Sequence, residues 1–300
     1  MTCRDVGLPT PSPLDNMNSA DYSTNESTIN FEAEQALGVQ LRAQLNAGQE
    51  TAVAEILAAV QGSVNARCFF LDGPGGTGKT FVYNTLARIL RGQERSVVLV
   101  ATTGIAATLL PGGRTAHSCF KIPYNVKRGD AWKLKAGTSQ YETVRLADLI
   151  IWDEASMAHA DAVESVDIGL QDMMQCTLPF GGKVVVLGGD FRQTLPVVRR
   201  ATPREIVQAT IKRSSLWRHF RQLPLTENMR AGPGEILFSE WLLQLGEGRQ
   251  ELNFINITKL ASYARNILAP EPPSPQPAPP LPQPAHLAVG ARTSNLLTLP

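Results

Sequence analysis

The sequence has no surplus of charge: 28 Lys and Arg stand against 27 Asp and Glu, a formal net charge of +1. A chain so balanced is not drawn to a polyanion as a whole, so any such attraction has to come from local clusters. No apolar run approaches the ~18 residues of a bilayer-spanning helix, and the polar stretch from Met1 to Ser27 holds no apolar signal core. Membrane and secreted classes are therefore not expected, and the chain is expected inside the cell. Cysteine is scarce too. Cys3, Cys68, Cys119 and Cys176 form no C-x-x-C pair, which argues against a zinc site or a disulfide framework. Cys68 and Cys119 lie in apolar stretches and read as core thiols. What is present is 300 residues, 43% hydrophobic and 18% charged, the profile of a globular chain with a length prior of about two domains.

Residues 1–30, rich in Ser, Thr, Asn, Asp and Pro without periodicity, read as a disordered leader. Over 31–62 the apolar positions Phe31, Leu37, Leu41, Leu45 and then Val53, Ile56, Leu57, Val60 recur at helical spacing, interrupted by Asn46-Ala47-Gly48, which predicts two helices. Residues 63–246 alternate short apolar runs with helical patterns, the signature of an α/β fold in which helices cover both faces of a parallel sheet. Strands are expected at 68–72, 97–101, 148–153, 184–188 and 221–225, and helices near 79–91, 103–110, 160–175 and 203–211. The stripe Val163, Val166, Leu170, Met173 and Met174 reads as core. Residues 247–300 read as a low-complexity tail, since nine of the fifteen residues from Pro270 to Pro284 are proline and favour extended chain.

Directly after the first strand comes Gly73-Pro74-Gly75-Gly76-Thr77-Gly78-Lys79-Thr80, which fits G-x-x-x-x-G-K-[ST] between a strand and a helix, the context of a P-loop. Its glycines let backbone N–H groups converge on phosphate at a helix N-terminus. Lys79 would reach the β- and γ-phosphates of ATP, and the Thr80 hydroxyl would bind Mg²⁺. Four apolar residues then deliver Asp153 and Glu154: Asp153 suits the Mg²⁺ shell, and Glu154 is placed to deprotonate an attacking water. The absence of N-K-x-D favours ATP over GTP. The strand from Val184 ends in Gly188-Gly189-Asp190, and Gln193 beyond it is placed to sense the γ-phosphate.

In this order, GPGGTGKT (73–80), ATTGIAATLLPGGRTAHSCFKIP (101–123), IIWDEASM (150–157), GGDFRQTLPV (188–197) and LTENMR (225–230) resemble the Pif family of 5′-to-3′ DNA helicases in helicase superfamily one. The GDFRQ-x-LP form is most similar to the helicases of Helitron transposons. The resemblance implies a RecA-like P-loop NTPase fold and ATP-driven translocation along single-stranded DNA with strand separation, in repair, recombination or transposition. It implies nuclear work, with the mitochondrion as the alternative. By position it makes Gln49 the adenine-reading glutamine, Arg230 the arginine approaching the γ-phosphate, and Thr103, Gly104, Thr115 and His117 neighbours of single-strand phosphates.

Local charge gives the DNA reading separate footing. Residues 192–230 carry nine Lys and Arg against Glu205 and Glu227, and 121–135 carry five against Asp130; such runs also occur as plain solvated faces. Four phosphate contacts to a single strand would give a salt slope of about −3. No late motif of the family is found after Gly246, so the chain reads as the first motor domain alone, the second absent, with slow hydrolysis at best. Two other readings stay open: a non-catalytic ATP- and DNA-binding fragment or transposon relic, and a P-loop ATPase acting on another target.

Overall fold

Six short strands pair side by side, four of them built on unbroken apolar runs. They are β1 (Cys68–Asp72), β2 (Val97–Ala101), β3 (Arg114–Thr115), β4 (Leu149–Asp153), β5 (Val184–Gly189) and β6 (Phe220–Pro224). In the computed structural model they form one sheet of order β3-β2-β4-β5-β1-β6, each neighbouring pair parallel. The structure describes residues 30–230 together with 241, 243, 244, 246 and 247. The leader expected over 1–30 and the tail expected over 247–300 lie, but for Asn30 and Glu247, outside the described residues.

Parallel strands need crossovers, and crossovers cover both faces of the sheet with helices. Here these are α1 (Phe31–Arg42), α2 (Ala47–Val60), α3 (Lys79–Gly92), α4 (Gly104–Thr108), α5 (Ala116–Phe120), α6 (Ser139–Leu146), α7 (Ala160–Met174) and α8 (Pro203–Gln208). Because side chains alternate along a strand, the sheet feeds two cores. Phe69, Leu71, Leu99, Ile151 and Val186 join Val53, Ile56 and Leu57 of α2 and Val82, Leu86 and Leu90 of α3. Phe70, Val100, Trp152, Val185 and Leu187 join Phe120 of α5 and Val163, Val166 and Leu170 of α7. Removing one such buried aromatic costs about 3–5 kcal/mol, so neither face is dispensable. Cys68 and Cys119 are core thiols as expected, and burial pushes them up to about 12 and about 11. Close backbone approach locks α1 onto α3: a Cβ on Gly38 would lie 2.9 Å from the Ile89 nitrogen.

The expected strands and helices are present with small shifts. The helix expected over 103–110 stops at Thr108, ahead of Pro111, and the one over 203–211 stops at Gln208. Met174 is 38% exposed, which removes it from the α7 core stripe. The two-residue β3 and the short α5 and α6 had no counterpart among the expected elements, being too short to show a period. Among the described residues, no helix is long and apolar enough to cross a membrane.

Candidate functional site

All the parallel strands end on one edge, where ligands sit in open α/β sheets. Register aligns that edge: Thr115 pairs with Ala101, and Ala101 with Asp153. On the other side of β4, Gly189 pairs with Asp72, and Asp72 with Pro224. The edge therefore carries, in spatial order, the 115–117 turn, the 102–104 turn, the acidic pair, the Gly188-Gly189 end, the P-loop and the segment leading to Arg230.

The P-loop needs its glycines for stated reasons. Gly76 and Gly78 have φ of 93° and 82°, the left-handed region that glycine adopts without steric cost. A Cβ on Gly73 would lie 2.4 Å from Thr77 Oγ1, which donates to the Pro74 carbonyl at 2.9 Å. Seven of the eight helices begin with a side-chain cap from Asn, Thr or His. Helix α3 begins at Gly78 without one. Its first N–H groups and the positive end of its dipole thus face the glycine cradle, the arrangement that suits an anion.

Lys79 Nζ donates to the Gly73 carbonyl at 2.6 Å and lies 3.5 Å from that of Pro74. Its charge also reaches both acids and favours their ionised forms. Burial nonetheless pushes Asp153 up from the ordinary carboxylate range, against the opposing Glu154 N–H that donates to its Oδ1 at 2.9 Å. Glu154 is pushed up chiefly by burial, then by the charges of Asp153 and Asp190. A carboxylate raised toward neutrality is what a general base at working pH requires. Glu154 also has φ 54°, a costly conformation for a residue with a Cβ and one that concentrates at active sites.

The remaining expected residues fall as follows. The Gln193 amide lies 3.3 Å from where a Cβ of Gly75 would be, and it lines a cavity of ≈ 290 Å³ with Pro74, Gly75, Asp190 and Arg192. Arg230 Cβ lies 3.1 Å from the corresponding point of Gly76, and the Met229 N–H donates to the Gly76 carbonyl at 2.9 Å. Gln49 is 2% exposed: its Oε1 accepts the Asn46 N–H in a capping box, and its Nε2 donates to the Thr77 carbonyl at 3.0 Å. Gln49 thus ties α2 to the P-loop. Thr103 and Thr115 are helix caps, their hydroxyl oxygens accepting from Ala106 N and Ser118 N; each hydroxyl keeps a donor hydrogen that capping does not use. A Cβ on Gly104 would meet nothing within 4 Å.

Several residues matter that motif reading passed over. Gly188 and Gly189 are glycine because Tyr83 and Ser156 come too close for side chains: a Cβ would lie 1.5 Å from Tyr83 Oη and 2.6 Å from Ser156 Oγ, respectively. Tyr83 has no exposed surface; burial and the nearby Asp153 and Glu154 charges keep its phenol neutral, and its hydroxyl beside Asp153 favours the ionised carboxylate. Arg192 lies 3.2 Å from Asp190 and 3.6 Å from Asp72. Thr102 Oγ1 donates to the Glu154 carbonyl at 2.7 Å while accepting from Trp152 Nε1 at 3.0 Å. Trp152, 1% exposed, is turned into the core. Only a sheet-wide register brings these groups together, and no local pattern announces it.

The oxygen donors Thr80 and Asp153 suit Mg²⁺, which one or two carboxylates hold together with substrate phosphates. The sequence pattern of the PIF1-like helicase family matches residues 44–254. The chain is 34% identical over 168 residues to the ATP-dependent DNA helicase Pif1 of Psychrobacter sp. (strain PRwf-1), covering 55% of this chain and 25% of that protein. Among solved structures it is similar to Bacteroides Pif1 bound to ssDNA, with a TM-score of 0.57, 26% identity, and 69% of this chain and 47% of that one covered. It is also similar to the Bacteroides Pif1 helicase in complex with ADP-AlF3 and ssDNA, with a TM-score of 0.56, 25% identity, and coverage of 67% and 46%. The chain spans well under two thirds of the length of these relatives.

Proposed function

The chain belongs to the PIF1-like helicase family, and from that premise we propose that it is the first RecA-like motor domain of a 5′-to-3′ ATP-dependent DNA helicase. Residues 63–246 form that domain, and residues 31–62 brace its P-loop and carry the adenine-reading Gln49. The P-loop N–H groups and Lys79 bind the β- and γ-phosphates of ATP, Lys79 exchanging its bond to the Gly73 carbonyl for phosphate oxygens. Thr80 and Asp153 hold Mg²⁺, which when bound neutralises charge on the β- and γ-oxygens. Glu154 takes a proton from the attacking water, Gln193 orients that water against the γ-phosphate, and Arg230 approaches the same phosphate. Thr103, Gly104, Thr115 and His117 contact single-stranded DNA at the neighbouring strand ends. The protein works on DNA in repair, recombination or transposition, in the nucleus or alternatively in the mitochondrion.

One observation carries this reading: Lys79, at the first position of an uncapped helix, lies near enough to Asp153 and Glu154 for its charge to favour their ionised forms. The test is ATP hydrolysis with and without single-stranded DNA, for the native chain and Glu154→Gln. DNA should stimulate the native chain, and Glu154→Gln should lower the rate about 10²- to 10⁴-fold, the worth of a general base, while still binding nucleotide. Equal rates for the two proteins would refute the assignment of the base. Because the chain covers 25% of its curated relative, a second reading is a fragment that binds ATP and DNA without turnover. Nucleotide affinity with no hydrolysis under any condition would establish that reading instead.

A further inference from the structure

A second cleft lies away from the P-loop, at the β3 end of the carboxyl edge. It has a volume of ≈ 640 Å³, within the usual range for sites that enclose a small ring system, ~300–1,000 Å³. Lys121, Lys133 and Lys135 line it, and no carboxylate does. The lysines converge because the chain doubles back: Lys121 ends α5 in the left-handed region, and the Lys133 N–H donates to the Lys121 carbonyl at 3.1 Å. The walls are anchored in the core. Leu134 is buried, Trp132 stacks on Phe120 with centroids 5.7 Å apart, and the Trp132 ring occupies the space that a Cβ on Gly169 would need.

At its rim stands Tyr124, 94% exposed, the largest such fraction among the exposed large hydrophobic residues. Its ring is held from one side by His117, with centroids 5.8 Å apart and planes 15° from parallel. Partial burial lowers the His117 imidazole from its ordinary value, so at neutral pH His117 offers a ring and not a charge. A buttressed aromatic face beside three lysines is the combination that single-stranded nucleic acid uses: bases stack, and ammonium groups track the backbone.

We propose that this cleft takes one unstacked base of single-stranded DNA on the free face of Tyr124, with the flanking phosphates on Lys121, Lys133 and Lys135. The inference rests on the single-strand reading above and deepens it: His117, one of the strand-contacting residues, also supports the Tyr124 platform. The charge complementarity favours this occupant, since an apolar or cationic partner would leave three ammonium groups uncompensated.

The experiment measures affinity for a fluorescent oligodeoxythymidylate by anisotropy, across a salt series, with binding of an ATP analogue measured alongside. Tyr124→Ala should weaken DNA binding about 5- to 150-fold, the worth of one stacked base, whereas Tyr124→Phe should stay near the native value. Replacing all three lysines by Gln should reduce the salt slope by about 2. Both sets should bind the ATP analogue as the native chain does. Photo-crosslinking of a 5-iododeoxyuridine oligomer should map to Tyr124. Native DNA affinity in Tyr124→Ala, or equal loss in Tyr124→Phe, would overturn the stacking platform while leaving the single-strand reading intact. No DNA binding by the native chain would instead overturn that reading itself.

Discussion

Adding one methyl group at Gly188 tests the packing between the P-loop helix and β5, the strand that leads to Gln193. A Cβ there would lie 1.5 Å from Tyr83 Oη and 2.8 Å from Cζ, against an ordinary carbon contact of about 3.5–4 Å. The hydroxyl must therefore move by about 2 Å. Tyr83 has no exposed surface and sits among Val82, Leu86 and Val186, so the ring has nowhere to retreat. Overpacking of this kind costs ~1–3 kcal/mol, and a 2 Å shift belongs at the upper end. At about 2–4 °C per kcal/mol for a domain of this size, Gly188→Ala should lower Tm by about 6–12 °C in thermal unfolding followed by circular dichroism. Tyr83→Phe supplies the control. It removes the atom that the methyl would strike at 1.5 Å and leaves the 2.8 Å approach of Cζ, while the single variant measures the separate loss of the hydroxyl beside Asp153. The double variant should recover the larger part of the loss. If Gly188→Ala costs as much with Phe at position 83 as with Tyr, the hydroxyl is not the obstacle and the packing argument fails.

Lys79→Ala should abolish nucleotide binding in an equilibrium assay and lower Tm only slightly, since the lost bonds to Gly73 and Pro74 are partly exposed; retained affinity would remove the lysine from the phosphate site. Asp167, 7% exposed, accepts from the Phe180 N–H and from Gln171 Nε2, yet burial raises it above the ordinary carboxylate value. The native state then binds its proton more tightly than the unfolded chain does, so this group's contribution to stability is present below the unfolded value and falls as pH rises through the raised one. Asp167→Asn, which keeps an oxygen for the Phe180 N–H, should raise Tm at pH 7 and lose that advantage toward pH 4. An equal Tm difference at both pH values would refute the assignment.

Strands β1, β2, β4 and β5 were legible because each holds an unbroken run of at least four apolar residues, and the P-loop because its chemistry is contiguous from Gly73 to Thr80; β3, an Arg-Thr pair, shows no such run. Gly188 and Gly189 read as a turn before a sensor, whereas their glycine character is set by Tyr83 and Ser156, 105 and 33 positions away. That information exists only once β5 lies between β1 and β4. The basic runs were equally ambiguous. In the longer one Arg221 pairs with Glu55, Arg192 with Asp190, and Lys212 lies over the Phe191 ring, so much of its charge is internal. In the shorter one three lysines share a single cleft.

The same folding joins the two halves of the edge. Thr102 opens the turn that leads to Thr103 and Gly104, and its N–H and hydroxyl donate to the Asp153 and Glu154 carbonyls. Glu154 holds its left-handed backbone against steric cost, and Thr102 is one of the groups that fix it there. Thr102 therefore joins the 102–104 turn to the backbone of both acids by two hydrogen bonds, and a displacement of that turn would be felt directly at the Glu154 backbone.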